Sequence, residues 1–166
     1  MVETTARLSL PLIAAGQAQK EIAHNEALIL ADCLLQPVVE GVGPAQVPLS
    51  PGLGASWIIG ATPLGAWAGK AGFVALWTAG GWRFLPPREG MSFWSIADAL
   101  WVQRRAGAWI LGASNAQSFR VDGVQVVGAR QPAISGLAGG AVIDAEARIA
   151  ITAMLGALRT HGLIAL

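Results

Sequence analysis

The sequence predicts an α+β fold: an N-terminal helix, a small tryptophan-rich antiparallel β module and a C-terminal helix. Three observations carry this. The run QAQKEIAHNEALILADCLLQ (17–36) contains no glycine or proline and repeats apolar residues at helical spacing. All seven tryptophans lie between Trp57 and Trp109, in short apolar runs broken by glycine. A second helical run, AEARIAITAMLGALRT, follows directly on Asp144, a good N-cap residue.

Residues 1–40 read as an arm and a helix that serve oligomerisation and anchoring. Leu8 to Ile13 alternates weakly and is extended, with Pro11 keeping it off a central strand. In the helix, Ile22, Ile29 and Cys33, with Leu30 and Leu34 beside them, fall at spacings of four and seven. Gln17, Gln19, Lys20, Glu21, His24 and Asn25 crowd the first turns, and Pro37 stops the helix. One end is therefore solvated or hydrogen-bonded and the other deeply buried. Residues 41–54 continue a Pro/Gly-rich connector that starts at Pro37. It is not very polar and reads as an extended arm lying on another element.

Residues 55–130 form the β module. Its grammar is SWIIG, GAWAG, FVALW-TAGG-WRFL and ALWVQ-RRAG-AWIL. The last two read as hairpins, with Trp77 near Trp82 and Trp101 near Trp109 as cross-strand partners. A third hairpin, SFRV-DG-VQVV, turns at Asp122-Gly123. Residues 131–166 are a connector and the C-terminal helix. Asp144 caps it and Glu146 sits in its first turn. Ala147, Ile151, Met154, Leu155 and Leu158 share one stripe, with Arg148, Thr152 and Arg159 mostly opposite. Gly162 is placed as the C′ residue. The apolar tail from Leu163 has reason to dock.

Composition narrows the function. Hydrophobic residues make up 54% and charged residues 13% of the 166, against about 25% charged in ordinary soluble domains. Mean hydropathy is +0.53. Such a chain is not intrinsically disordered. The longest uncharged stretch, Gly41 to Gly69, contains Pro44, Pro48, Pro51 and Pro63, so no continuous membrane helix forms there and no membrane insertion is expected. The N-terminus has no signal-peptide core. The apolar excess then points to surface buried against other subunits. Its candidates are Ile22, Ile29, Leu30 and Leu34 on the first helix, and Ile151, Leu155, Leu158 and Leu163 at the C-terminal end. A net charge of +1 argues against nucleic-acid binding. The single Cys33 excludes an internal disulfide framework and a Cys-based zinc site, and fits synthesis in a reducing cytoplasm.

No equipped catalytic site is legible, so the chain is not read as an enzyme and no cofactor is expected. The two histidines, His24 and His161, have no nucleophile elbow to serve. Cys33 sits on the apolar end of its helix, where a thiol is packing. Glu21 and His24 are three apart on one helix, a half-site for a metal but equally a polar helix start. Gly139 and Gly140 precede a helix, but Asp144 and Glu146 would repel a phosphate there. Glu89 and Asp98 flank Trp94 as the one carboxylate pair of the aromatic region, and read equally as surface charge. The tryptophans either fill the core and interfaces or stack on sugar rings. For stacking, Trp67 in Gly-Ala-Trp-Ala-Gly is the first choice because small residues flank it, followed by Trp82 and Trp94.

Three motifs together go beyond composition: the N-terminal LPLIAAGQAQKEIAHNEAL, the central ATPLGAWAGKAG…W…GGWRFLPPREG, and the C-terminal VVGARQPAI…DAEARIAITAMLGALRTHGLI. Nearly the whole chain resembles a domain-of-unknown-function family found in prophages and gene transfer agents of alphaproteobacteria. The resemblance implies a structural component at the surface of a phage-like particle, similar to the base of a gene transfer agent head spike. It also implies a symmetric homo-oligomer, a trimer or a pentamer. Its further partners would be a capsid or tail protein and a spike or fibre protein used in host attachment. The family carries no established catalytic residues to transfer. A carbohydrate-binding module that touches host surface polysaccharide directly is the alternative.

Overall fold

The computed structural model describes residues 3–14, 16, 20–136, 138–139, 144–160 and 163–165. Among the described residues two helices and ten strands give the expected α+β class. The chain separates into two compact units, Met1–Ala113 and Ser114–Leu166. The hairpin expected to close the tryptophan-rich module therefore groups with the C-terminal helix instead.

The first unit opens with an arm and helix α1 (Lys20–Leu35). The strands follow as β1 (Val38–Val39), β2 (Gly41–Val42), β3 (Ser56–Ile58), β4 (Val74–Thr78), β5 (Gly81–Leu85), β6 (Ser92–Ser95), β7 (Leu100–Arg105) and β8 (Ala108–Leu111). One sheet has the order β2-β3-β4-β5 and the other β1-β6-β7-β8. Most pairings are antiparallel, as expected. The exceptions are β1 with β6 and β2 with β3, both parallel and both made by the Pro/Gly-rich connector. That connector is extended, gives Val38 and Val39 to one sheet, and gives Gly41 and Val42 to the other. It stitches the two sheets together.

The core lies where both sheets meet α1. It is built from Cys33, Val39, Ile58, Val74, Leu76, Leu85, Phe93 and Val102, with Ile29 and Leu30 packed against it. Strand alternation explains the selection: Val74 and Leu76 face this core, and Ala75 faces the other side of the sheet. There Ile59, Trp67 and Ala75 form a second buried cluster with Val47, Trp57, Phe73, Trp82 and Phe84. Gly60 permits the crossing next to this cluster. A Cβ at that position would lie 2.2 Å from the Gly43 carbonyl oxygen, so only glycine lets the two backbones pass.

Polar residues of α1 hold the arm. The Asp32 carboxylate accepts the backbone N–H groups of Arg7 and Leu8, each at 2.9 Å. The Asn25 amide accepts from the Ile13 N–H and donates to the Ile13 carbonyl, both at 2.9 Å. The Arg7 guanidinium donates to the Cys33 and Gln36 carbonyls, satisfying acceptors that the helix C-terminus leaves open, and to the Gly54 carbonyl and Ser56 hydroxyl. Glu26 of α1 pairs with Arg83 of β5.

The second unit contains β9 (Phe119–Val121), β10 (Val124–Val127) and α2 (Ala145–Thr160). Asp122 and Gly123, with φ of 49° and 78°, make the two-residue hairpin turn the sequence signals. The pairing then slips between Gln125 and Val127. Helix α2 coincides with the predicted run, and the Asp144 carboxylate accepts the Ala147 N–H at 2.8 Å as its cap. The tail docks through Ile164, which is buried, and through backbone bonds between Gln131 and residues Leu163 and Ala165. Gln17, Gln19, Gly140, His161 and Gly162, to which the sequence assigns places, lie outside the described residues.

Candidate interaction surfaces

The seven tryptophans separate into three groups. Trp57, Trp67, Trp77 and Trp82 interlock on the outer face of the β2-β3-β4-β5 sheet, with successive ring centroids 5.0–6.2 Å apart. Trp109 lies at the edge of the main core. It meets Phe93 edge-on and donates its Nε1–H to the Gly72 carbonyl at 2.8 Å. Trp94 and Trp101 pair edge-to-face at 5.7 Å on the outer face of the other sheet.

This arrangement revises the expectations for exposure. Trp67, the first choice for a sugar-stacking ring, has no solvent exposure. Its small neighbours do not display it. They let the chain wind into a 3-10 turn, Gly65–Trp67, that inserts the indole into the second cluster. Gly65 and Gly69 bracket this turn with φ of 58° and 76°. Trp82 is half-buried in the same cluster. Trp94 remains half-exposed, while Trp101, which was not among the stacking candidates, is 53% exposed.

The cross-strand expectation holds for Trp77, which sits opposite Trp82. It fails for Trp101 and Trp109. The second hairpin turns on Ala106 and Gly107 alone, both at positive φ, so Arg105 pairs with Ala108. Trp109 then faces Arg104, whose guanidinium carbon lies 5.8 Å from the indole, and Trp101 faces Trp94.

The interface candidates divide as well. Ile29 and Leu30 pack against the chain's own core, and Leu155 is buried within the chain, so these three already have partners. Ile22, Leu34, Ile151, Leu158 and Leu163 are exposed, at 63%, 43%, 37%, 36% and 40%. In the second unit exposure extends further. Phe119, Val121, Val124, Val126, Val127, Ile149 and Met154 are all exposed. Both faces of the β9–β10 hairpin are open, and Leu155 is the buried residue of α2.

The candidate chemical groups serve local structure. Glu89 accepts the Ala106 N–H and braces the β7–β8 turn, while Asp98 accepts the Ser95 hydroxyl. Glu21 accepts the Gly16 N–H at 3.4 Å, and His24 is exposed. Among the described residues no three His, Cys, Asp or Glu side chains converge, and no helix is long and apolar enough to cross a membrane. Cys33 is buried. Burial pushes its thiol above the ordinary range, with Arg7 only partly opposing, so the nucleophilic thiolate is disfavoured.

A family model described as protein of unknown function (DUF2793) matches residues 24–110, and the chain belongs to that family. The match runs from α1 to β8 and so falls within the first unit. No curated protein matches the chain.

Proposed function

From that membership as premise, we propose that this DUF2793 protein is a structural component at the surface of a phage-like particle, a gene transfer agent or prophage product made in the bacterial cytoplasm. It forms a symmetric spike or fibre base, a trimer or pentamer, that anchors to a capsid or tail protein and presents the host-attachment fibre. In this reading it performs no catalysis. The support for the particle is the resemblance of its three motifs. The support for assembly is one structural observation.

That observation is the apolar surface of residues 114–166. An isolated two-stranded hairpin is marginal in water, and here both its faces and much of α2 present apolar side chains to solvent. An exposed apolar area on this scale marks an interaction site. Closed symmetry lets identical copies cover one another's hairpins and helices.

Light scattering on the full chain tests this. The expected mass is three or five times that of the chain, and Val124→Asp or Ile151→Asp lowers it. A wild-type monomer at micromolar concentration overturns the reading. Micrographs of particles lacking the protein should lose a surface appendage, and particles of unchanged appearance would count against the assignment.

A further inference from the structure

We propose that the second unit, residues 114–166, folds only when copies of the chain assemble. In the monomer its hairpin and α2 lose their structure while the first unit stays folded. This inference rests on the assembly reading and deepens it: folding of this unit and association of the copies become one step.

The unit has too small a core to stand alone. Among its described residues Leu155 and Ile164 are the only buried side chains, at 8% and 5%. In the first unit Val39, Ile58, Val74, Phe93 and Val102 are all at 1% or less. Below about 70 residues a lone core rarely suffices, and natural domains add disulfides, a metal or other copies. Residues 114–166 contain no cysteine, and among the described residues no cluster of metal-ligating side chains is found. Other copies are the remaining means. The local elements do not make up the deficit. The β9–β10 pairing slips between Gln125 and Val127, and among the described residues no third strand joins it. Helix α2 has 16 residues with Gly156 in its interior, close to the length at which an isolated helix is marginal in water. The bonds from Arg148 and Arg159 to the Gly139 and Ile134 carbonyls are solvent-exposed, so water competes for them.

The partner that completes the unit is a second copy. Its four arginines stand against Asp122, Asp144 and Glu146, a balance of +1, so identical units barely repel. Among the described residues both hairpin strands keep a free backbone edge. Val124 and Val126 on the hairpin, and Ile151, Met154 and Leu158 on α2, are exposed in every copy, so each copy both offers and needs the same apolar cover. The composition is not that of a disordered segment. The apolar side chains are present, and what one copy lacks is a surface to pack them against. The family match ends at residue 110, inside the first unit, which fits a first unit that folds without the second.

Hydrogen exchange read by mass spectrometry on the full chain tests this, with light scattering to report the oligomer. The wild type is measured assembled and after dilution to the monomer. Amides of β9, β10 and α2 should exchange about a hundredfold or more faster in the monomer, while those of β3 to β8 keep their protection. Val124→Asp supplies a monomer at high concentration. Val124 is 67% exposed, so aspartate there would barely disturb a self-standing unit. The expectation is instead that protection is lost throughout α2 as well as the hairpin, with the first unit intact. Protection of β9, β10 and α2 in either monomer overturns the inference and leaves the assembly reading standing. Fast exchange there in the intact oligomer also overturns it, as does a Val124→Asp chain that stays assembled and protected. A wild type that is monomeric at every concentration overturns both readings.

Discussion

Replacing Trp67 by alanine tests the outer tryptophan cluster most directly. The indole has no solvent exposure and meets Trp82 at 5.2 Å and Trp57 at 6.2 Å. Truncating a buried tryptophan to alanine costs about 3–5 kcal/mol. Opposing this, the Trp67 Nε1–H is buried without a hydrogen-bond acceptor, and an unpaired buried donor costs about 1–3 kcal/mol that the substitution relieves. The expected net loss is about 2–3 kcal/mol. With a urea slope of about 1.5 kcal/mol per molar, the midpoint falls by roughly 1.3–2 M. Trp67→Phe keeps a ring and sheds the N–H, so it should cost less than about 1.5 kcal/mol. Urea unfolding followed by far-ultraviolet circular dichroism measures both. A Trp67→Ala protein within about 0.5 kcal/mol of wild type would refute the cluster as a second core. A Trp67→Phe protein as weak as Trp67→Ala would refute the unpaired N–H.

Two further outcomes follow from the same packing. Leu30→Asp places a carboxylate against the main core and should cost about 3 kcal/mol or more, whereas Ile22→Asp, on the exposed part of α1, should stay within about 0.5 kcal/mol in thermal unfolding; equal losses would show that α1 is packed by a different face. The raised Cys33 thiol makes stability pH-dependent: its contribution is complete below the unfolded thiol's pKa of about 8.5 and is lost as pH rises toward the higher folded value, because the unfolded chain releases its proton first. Cys33→Ala should flatten that alkaline decline in urea midpoints, and an unchanged slope would mean that another group governs it.

Much of the local structure was legible in the sequence. Helix α2 begins where Asp144 can cap it, and α1 ends ahead of Pro37. The hairpin at Asp122-Gly123 needs only the positive φ that those residues tolerate. Burial was harder to read. Ile29, Leu30, Ile22 and Leu34 look alike on a helical wheel, yet the first pair meets the core and the second is exposed. The outer Trp94–Trp101 pair was half visible: Trp94 was named, while Trp101 was assigned to Trp109 because the second turn was taken as two residues too long.

The sequence by itself determined the α+β class, the two helices, the confinement of tryptophan to a β module and the excess of apolar side chains. These follow from backbone preferences and periodicities that act within a few residues. Only the tertiary structure decided that residues 38–42 join two sheets in parallel, that Trp67 lies inside while Trp101 lies outside, and that the unpartnered apolar surface concentrates in residues 114–166. The physical reason is that register and burial depend on which distant surfaces meet, and shifting a strand by one residue exchanges its inner and outer faces.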